Sequence, residues 1–383
     1  MTELKNIPEG WGETTLGEVA DIKYGKDHKH LKDGNIPCLG SGGFMRNVDQ
    51  ILYDKPSVLI PRKGTISNLF FIEQPFWTVD TLFYTKIDDN KIIPKYLYFK
   101  LKTINLENMN VGSAVPSLTT AVLNQIEIVI PKNINEQKSI AAILTAFDNK
   151  IELLQAQNKT LEELAQTIFT EWFGKETEIW EYVKINDVAE ITSSKRIFYE
   201  EYVTEGIPFY RSKEIIELST KPDISTELFI SEMRYNEIKE KFDIPKKGDI
   251  LLTAVGTLGI PFQVRNNREF YFKDGNLIWF KNFNKSITSD FVYNWLKLKS
   301  TQDLLNMISI GSTQKALTIS SVKELKIPFI KNSELRRIFN KLLKSNLDKV
   351  NHNQEQIQTL TKTRDELLPR LMSGEVRVNE FKV

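Results

Sequence analysis

The second half of this chain repeats the first, and that duplication constrains the fold more than any single motif. Trp11 aligns with Trp180, and Val19-Ala20-Asp21-Ile22 with Val188-Ala189-Glu190-Ile191, both at an offset of 169. Ile36-Pro37 and Ile207-Pro208 align at 171, and Gly64-Thr65 and Gly256-Thr257 at 192. Leu97-Tyr98 and Val292-Tyr293 follow at 195, and Gly112-Ser113 and Gly311-Ser312 at 199. The offset only grows, as insertions in the second copy require. It jumps most, by 21, between the Ile-Pro and Gly-Thr pairs, and holds at 199 from Gly112 onward. Two variable globular parts with two length-locked helices suggest a reader of a two-part target.

A chain of 383 residues can hold two ordinary domains, each with its own core. Its 51 Lys and Arg against 50 Asp and Glu give no bulk argument for nucleic acid. Any DNA-binding face must therefore be a local patch. The single cysteine, Cys38, excludes an internal disulfide and suits a reducing compartment. The stretch Met1 to Trp11 is polar, so no signal peptide is expected, and no apolar run approaches the roughly 20 residues of a spanning helix. A cytoplasmic protein, away from membranes, is expected.

Each copy reads as a globular part followed by a long helix. The first globular part shows short β-branched and aromatic runs bounded by Gly, Pro, Asn and Asp: 57–60, 69–72, 81–84 and 126–130. One internal helix is expected from Pro94 through Leu101, answered in the second copy by 291–296 with Ser289-Asp290 as its cap. Short strands with few helices indicate an α+β fold with a curved sheet or partial barrel. The boundaries fall at 1–131, 132–174, 175–330 and 331–383.

The first long helix should run from about Asn135 to Gly174, a glycine suited to the C-terminal cap. Ile140, Phe147, Leu154, Leu161 and Ile168 recur every seven residues, and so do Leu144, Ile151, Asn158, Ala165 and Trp172. The second, about Ser333 to Met372, has one row of Leu343, Val350, Ile357, Arg364 and Leu371 and another of Phe339, Asn346, Asn353, Leu360 and Leu367. Pairing the helices as an antiparallel coiled coil gives a pseudo-two-fold internal repeat. If Ile140 faces Leu371, Asn158 faces Asn353, and such a polar pair would fix the register. A shift of one heptad would instead pair Asn158 with Asn346. A helix of roughly 38 residues is about 57 Å long and would act as a ruler. Trp172 and Phe173 either cap the domain junction or meet a partner.

Several motifs together resemble the specificity (S) subunits of Type I restriction–modification systems, over essentially the whole chain. They are Ser41-Gly42-Gly43, Arg62-Lys63-Gly64-Thr65, Trp77-Thr78-Val79-Asp80-Thr81 and 112–118, then Pro131 with Glu136-Gln137 and Ile140-Ala141, and finally 367–376 beginning Leu-Leu-Pro-Arg-Leu. The resemblance implies two target recognition domains, each reading one half of a bipartite DNA site. The paired helices would separate the halves. It implies two methyltransferase subunits and restriction subunits as partners. Those partners would bring S-adenosylmethionine for adenine N6 methylation, and ATP and Mg for translocation and cleavage. The chain itself would bind no cofactor and carry no catalytic residue. The second copy departs from the pattern, with Ala254-Val255-Gly256-Thr257 and 313–317 in place of 62–65 and 114–118, as two domains reading different bases would.

DNA contacts need cations for phosphates and forked donors for base edges. The basic stretch after the Val-Ala-Asp/Glu-Ile element supplies Lys23, Lys26 and Lys29, and its counterpart Lys195 and Arg196. Ser41, Gly42, Gly43 and Arg46 form a second candidate set, and Arg62, Lys63 and Thr65 a third. Tyr210, Arg211 and Lys213 stand where the Ser-Gly-Gly loop did, and Thr257 where Thr65 did. Ser113, with Ser312, Gln314 and Lys315 in the other copy, completes the candidates. Solvated loops and strand-end turns are the ordinary roles of such residues. The 22 Phe belong to the core rather than to base stacking.

Two metal readings compete. Pro222-Asp223 with Glu237-Ile238-Lys239 matches the spacing of a metal nuclease site, but 231–241 reads as a capped helix rather than the strand that chemistry needs. His28, His30 and Cys38 have irregular spacing and lack a fourth zinc ligand. No Walker A loop, S-adenosylmethionine glycine turn or Asn-Pro-Pro stretch occurs.

Overall fold

The computed structural model describes residues 7–109, 116–174, 178–220, 224–311 and 315–378. The chain forms two compact units, 1–151 with 360–383, and 152–359. Both long helices contribute a stretch to each unit.

In the first unit, the strand Trp11–Thr15 lies antiparallel to Glu127–Pro131, with Trp11 opposite Pro131. The chain between them folds into two sheets. One is antiparallel, in the order Ala20–Tyr24, Leu82–Ile87, Ser57–Pro61, Phe70–Ile72. Ser57–Pro61 is buried along its length, as its unbroken apolar run requires. Its one hydroxyl, on Ser57, donates to the Thr85 carbonyl at 2.8 Å. The other sheet is the hairpin Ile36–Gly40 and Gly43–Val48 joined by Trp77–Thr78, which pairs parallel to the first of these. Pro94 opens the helix Pro94–Lys102, which buries Tyr96, Leu97, Phe99 and Leu101.

The second unit repeats this plan. Trp180–Lys184 pairs with Lys326–Ile330, Trp180 opposite Ile330. An antiparallel sheet runs Glu190–Thr192, Leu277–Lys281, Ile250–Thr253, Pro261–Gln263. A second sheet holds Ile207–Tyr210 parallel to Tyr271–Phe272, the counterpart of the first unit's parallel pair. The largest insertion becomes two helices, Ser212–Thr220 and Glu232–Lys241, where the first unit has a tight hairpin. The cap expected at Ser289-Asp290 is Thr288, whose hydroxyl accepts from the Phe291 N–H; Ser289 begins the helix Ser289–Lys297. A helix needs its cap residue extended, and Thr288 is the one with that backbone.

The central helix spans Ile134–Phe173 and the distal helix Ser333–Ser373. In the second unit they run antiparallel: Asn158 bonds Asn353, and three residues further along, the Leu161 carbonyl accepts from Asn346, seven residues back. Ile151, Leu154, Leu343, Val350, Asn353 and Ile357 are buried, and Leu161 is half-buried. In the first unit Ile140, Leu144, Leu371 and Met372 join the domain core, with Phe147 and Leu360 half-buried. Asn353 Nδ2 donates to Asn158 Oδ1 and to Gln157 Oε1, each at 2.8 Å. This is the register that sets Ile140 opposite Leu371. The alternative partner, Asn346, donates instead to the Leu161 carbonyl. Arg364, which falls in an apolar row, meets Asp148 at 2.8 Å.

Two expectations need correcting. Phe169 and Leu347 lie outside the heptad rows yet are buried. Each end of the helix pair meets a globular domain as well as its partner helix, so a wider stripe is covered. Gly174 does not take the left-handed backbone of a C-terminal cap, whereas Gly374 does, at φ +76°. Trp172 and Phe173 pack on Phe339, and Phe173 also on Trp180 and Phe291, so they close the core of the second unit. No helix among the described residues is long and apolar enough to cross a membrane.

Candidate nucleic-acid interface

In the first unit the motif Trp77-Thr78-Val79-Asp80-Thr81 ties three candidate segments together. The Lys26 N–H donates to the Thr78 carbonyl at 2.8 Å, and the Trp77 indole N–H donates to the Lys26 carbonyl at 3.0 Å. The Ser41 N–H reaches Thr81 Oγ1 at 3.4 Å, and the Arg62 N–H the Thr81 carbonyl at 2.8 Å. A fourth segment joins when the Leu118 N–H donates to the Arg62 carbonyl at 2.9 Å. Three of these segments, the Lys-rich loop, the Ser-Gly-Gly turn and the motif itself, enclose a groove whose walls include Lys29, Ser41, Gly42, Gly43, Asp80 and Thr81. Gly25 is a glycine because a side chain there would strike the Val79 carbonyl, 2.1 Å from its Cβ position.

The second unit ties its basic loop to the equivalent strand through side-chain hydroxyls, and repeats two of the main-chain bonds. The Ser194 hydroxyl donates to the Phe272 carbonyl and the Lys195 N–H to the Tyr271 hydroxyl, both at 2.7 Å. The Ala254 N–H donates to the Asn276 carbonyl at 2.8 Å, as Arg62 does to Thr81, and Leu317 bonds Ala254 as Leu118 bonds Arg62. Gly64 and Gly256 occupy equivalent turns at φ +85° and +80°, with open space over each. Only glycine adopts that backbone cheaply, and it leaves the main chain bare to an approaching group.

The candidate side chains differ in what they have left to offer. Lys26, Lys29, Lys63, Thr65, Lys213, Thr257 and Lys315 are exposed. Lys23 pairs with Asp21 at 2.7 Å. Arg62 donates to the Asp80 carbonyl and lies over the Tyr24 ring. Lys195 sits 4.3 Å over the Phe242 ring, and Arg196 meets Asp274 at 3.0 Å. Arg46 is already engaged: its guanidinium bonds His28 Nδ1, Asp33 Oδ1 and the His28 and Leu31 carbonyls. It organises the Lys-rich loop. Arg211 is clamped on Glu214 at 2.7 Å; burial raises that carboxyl, and the bonds from Arg211 outweigh it, leaving it below the usual range.

Tyr210 is 2% exposed and packs on Phe270, because it ends a strand in the core. The residues after it form a helix, so they do not reproduce the Ser-Gly-Gly loop. Ser113, Ser312 and Gln314 lie outside the described residues. Sequence reasoning passed over Asp80, Thr81 and Asn276 as the ties, although the Trp-Thr-Val-Asp-Thr string was a pointer to the first two.

The metal readings fare as follows. Glu237 and Lys239 stand on the helix Glu232–Lys241, bonded to Arg234 and Glu269, and Pro222-Asp223 lies outside the described residues. Cys38 is buried in a strand, where burial pushes its thiol up and so disfavours the thiolate a metal would need. His30 packs edge-on against Trp77. Among the described residues no three His, Cys, Asp or Glu gather as a metal site.

The chain is 28% identical over 372 residues to a putative type I restriction enzyme specificity subunit of Haemophilus influenzae, covering 92% of this chain and 89% of that protein. It is 27% identical to the type I restriction enzyme MjaIX specificity subunit of Methanocaldococcus jannaschii, covering 99% and 96%. Its fold matches the crystal structure of the Type-I restriction-modification system S subunit from M. genitalium, with a TM-score of 0.64, 20% identity, and coverage of 97% and 98%. A family model for the Type I restriction modification DNA specificity domain matches twice, over residues 8–163 and 177–362. Two successive matches spanning both copies of the repeat place this chain in the Type I restriction modification DNA specificity domain family.

Proposed function

We propose that this chain is the DNA sequence-specificity subunit of a Type I restriction–modification complex. It binds a bipartite, asymmetric double-stranded site, one recognition domain per half, and is not itself catalytic. Methyltransferase and restriction subunits dock on it in the cytoplasm and bring S-adenosylmethionine, ATP and Mg. The observation that carries this reading is the duplicated knot of loops: two equivalent main-chain bonds, Arg62 to Thr81 and Leu118 to Arg62 in the first unit and Ala254 to Asn276 and Leu317 to Ala254 in the second, hold three segments together in each unit. Different side chains on one frame are what two half-sites of different sequence demand. Lys26, Lys29, Lys63 and Lys315 are exposed there for phosphates, and bare glycine turns at Gly64 and Gly256 admit close backbone approach. Leu153, Leu164, Ile338 and Leu342, exposed on the long helices, support a partner-docking role for those faces.

The test is methylome sequencing of a host carrying this chain, its neighbouring methyltransferase and no other. N6-methyladenine at a two-part motif with a constant gap is the expected result, and exchanging residues 1–131 should change one half only. An unmodified genome, with the subunits shown to assemble, would overturn the reading.

A further inference from the structure

The hairpin of the first unit departs from regular strand geometry at its tip. Cys38 faces Arg46 and Leu39 faces Phe44, so Met45 is an extra, unpaired residue in a β-bulge. A regular strand sends consecutive side chains to opposite faces. Here Phe44 and Met45 are both exposed, at 65% and 49%. The tip is held from three sides. Arg46 bolts it to the loop at 28–33. Ser41 ties it to Thr81, and Gly43 sits against the Phe70 ring. Both side chains border the groove that Lys29, Asp80 and Thr81 also line. Single exposed apolar residues are ordinary on protein surfaces. A Phe-Met pair left exposed by a bulge beside exposed lysines, with the Met45 sulfur lying over Gly40, is not.

We propose that Phe44 and Met45 form an apolar wedge that enters one base step of the half-site met by the first unit and partly unstacks it. This rests on the DNA-binding reading above. Phe and Met are side chains that part stacked bases, with flanking cations taking the phosphates on either side. The wedge is then a specificity determinant that contacts no base edge. Flexible pyrimidine–purine steps yield more readily than stiff ones, so the first half-site contains or adjoins such a step.

The experiment uses the full chain assembled with its methyltransferase subunits, on a duplex carrying the motif found by methylome sequencing. 2-Aminopurine is placed in turn at each position of the first half-site. The methylated adenine is left out, because flipping of that base gives its own signal. A several-fold rise in fluorescence is expected at one step. Phe44→Ala with Met45→Ala should abolish it and weaken binding roughly tenfold, while Phe44→Leu retains most of it. No rise at any position, with the site bound and methylated normally, overturns the wedge and leaves the function standing. Failure of the wild-type complex to select any bipartite site overturns both. If the double variant loses its methyltransferase subunits and the signal per bound complex is unchanged, the pair is a protein contact and the wedge is wrong.

Discussion

Arg46 shows how a residue's chemistry depends on what surrounds it. As a sequence letter it is a forked donor available to DNA; in the fold its donors go to His28, Asp33 and two carbonyls. Replacing it with Ala should therefore loosen the Lys-rich loop as well as weaken binding. Faster amide exchange at Leu31, together with an affinity loss of about tenfold, would show this. Tyr210 shows the same dependence, since a string of residues does not reveal that Phe270 covers the ring. Lys100 was passed over entirely. Its ammonium donates to the Met372 carbonyl at 2.7 Å, and burial lowers its pKa to about 8. An unfolded lysine titrates near about 10.4, so between those values the unfolded chain holds more protons. Stability should then rise with pH across that window, by up to about 2 kcal/mol after allowing for partial exposure. Below it the cost of the buried charge is fully present. Denaturant midpoints for the wild type and Lys100→Met should diverge there, with the rise missing from the variant.

At the level of elements, the long helices were the most legible part of the chain, because a heptad repeats its signal five times. The asparagine pair added a register that apolar letters alone would not give. Asn353→Leu strands the Asn158 amide and should cost about 1–3 kcal/mol in equilibrium denaturation. Replacing both with Leu should recover most of that while allowing the helices to slip by a heptad. Cysteines at Leu154 and Ile357 should crosslink readily in the wild-type register, and a chain that stays reduced would argue for another. Phe169 was not legible, because heptad reasoning assumes one neighbour and this ring also meets Phe291 of the domain. Phe169→Ala should cost about 3–5 kcal/mol, seen as a lower unfolding midpoint of the second unit. Ile338→Asp with Leu342→Asp, on exposed positions, should leave that midpoint unchanged and abolish co-purification with methyltransferase subunits.

For the whole molecule, the duplication made the plan legible before any element was assigned: an α+β part with a curved sheet or partial barrel and one internal helix in each copy, followed by a long helix. That the strands of each copy divide between two sheets was not legible. Part of the largest insertion was legible, because the cap at Ser231 marks the helix Glu232–Lys241, which packs on Tyr271. The helix Ser212–Thr220 was not: it has no repeat partner, and Ile215 joins the core around Trp279. The charge balance predicts binding that depends on patches. Titrating salt against affinity should give a slope of about −0.9 per phosphate contacted, and Lys29→Ala with Lys63→Ala should reduce it by about two contacts.

The paired strands at the base of each unit have an evolutionary consequence. Trp11 lies opposite Pro131 and Trp180 opposite Ile330, so the chain enters and leaves each domain through neighbouring strands about 4.8 Å apart. Loops between those strands that do not pack on the helices can be lengthened, shortened or replaced without moving the points where the chain enters and leaves. Under the function proposed above, a genetic crossover at such a seam would change the half-site read and keep the helices, which would make these strand pairs natural joints for recombination.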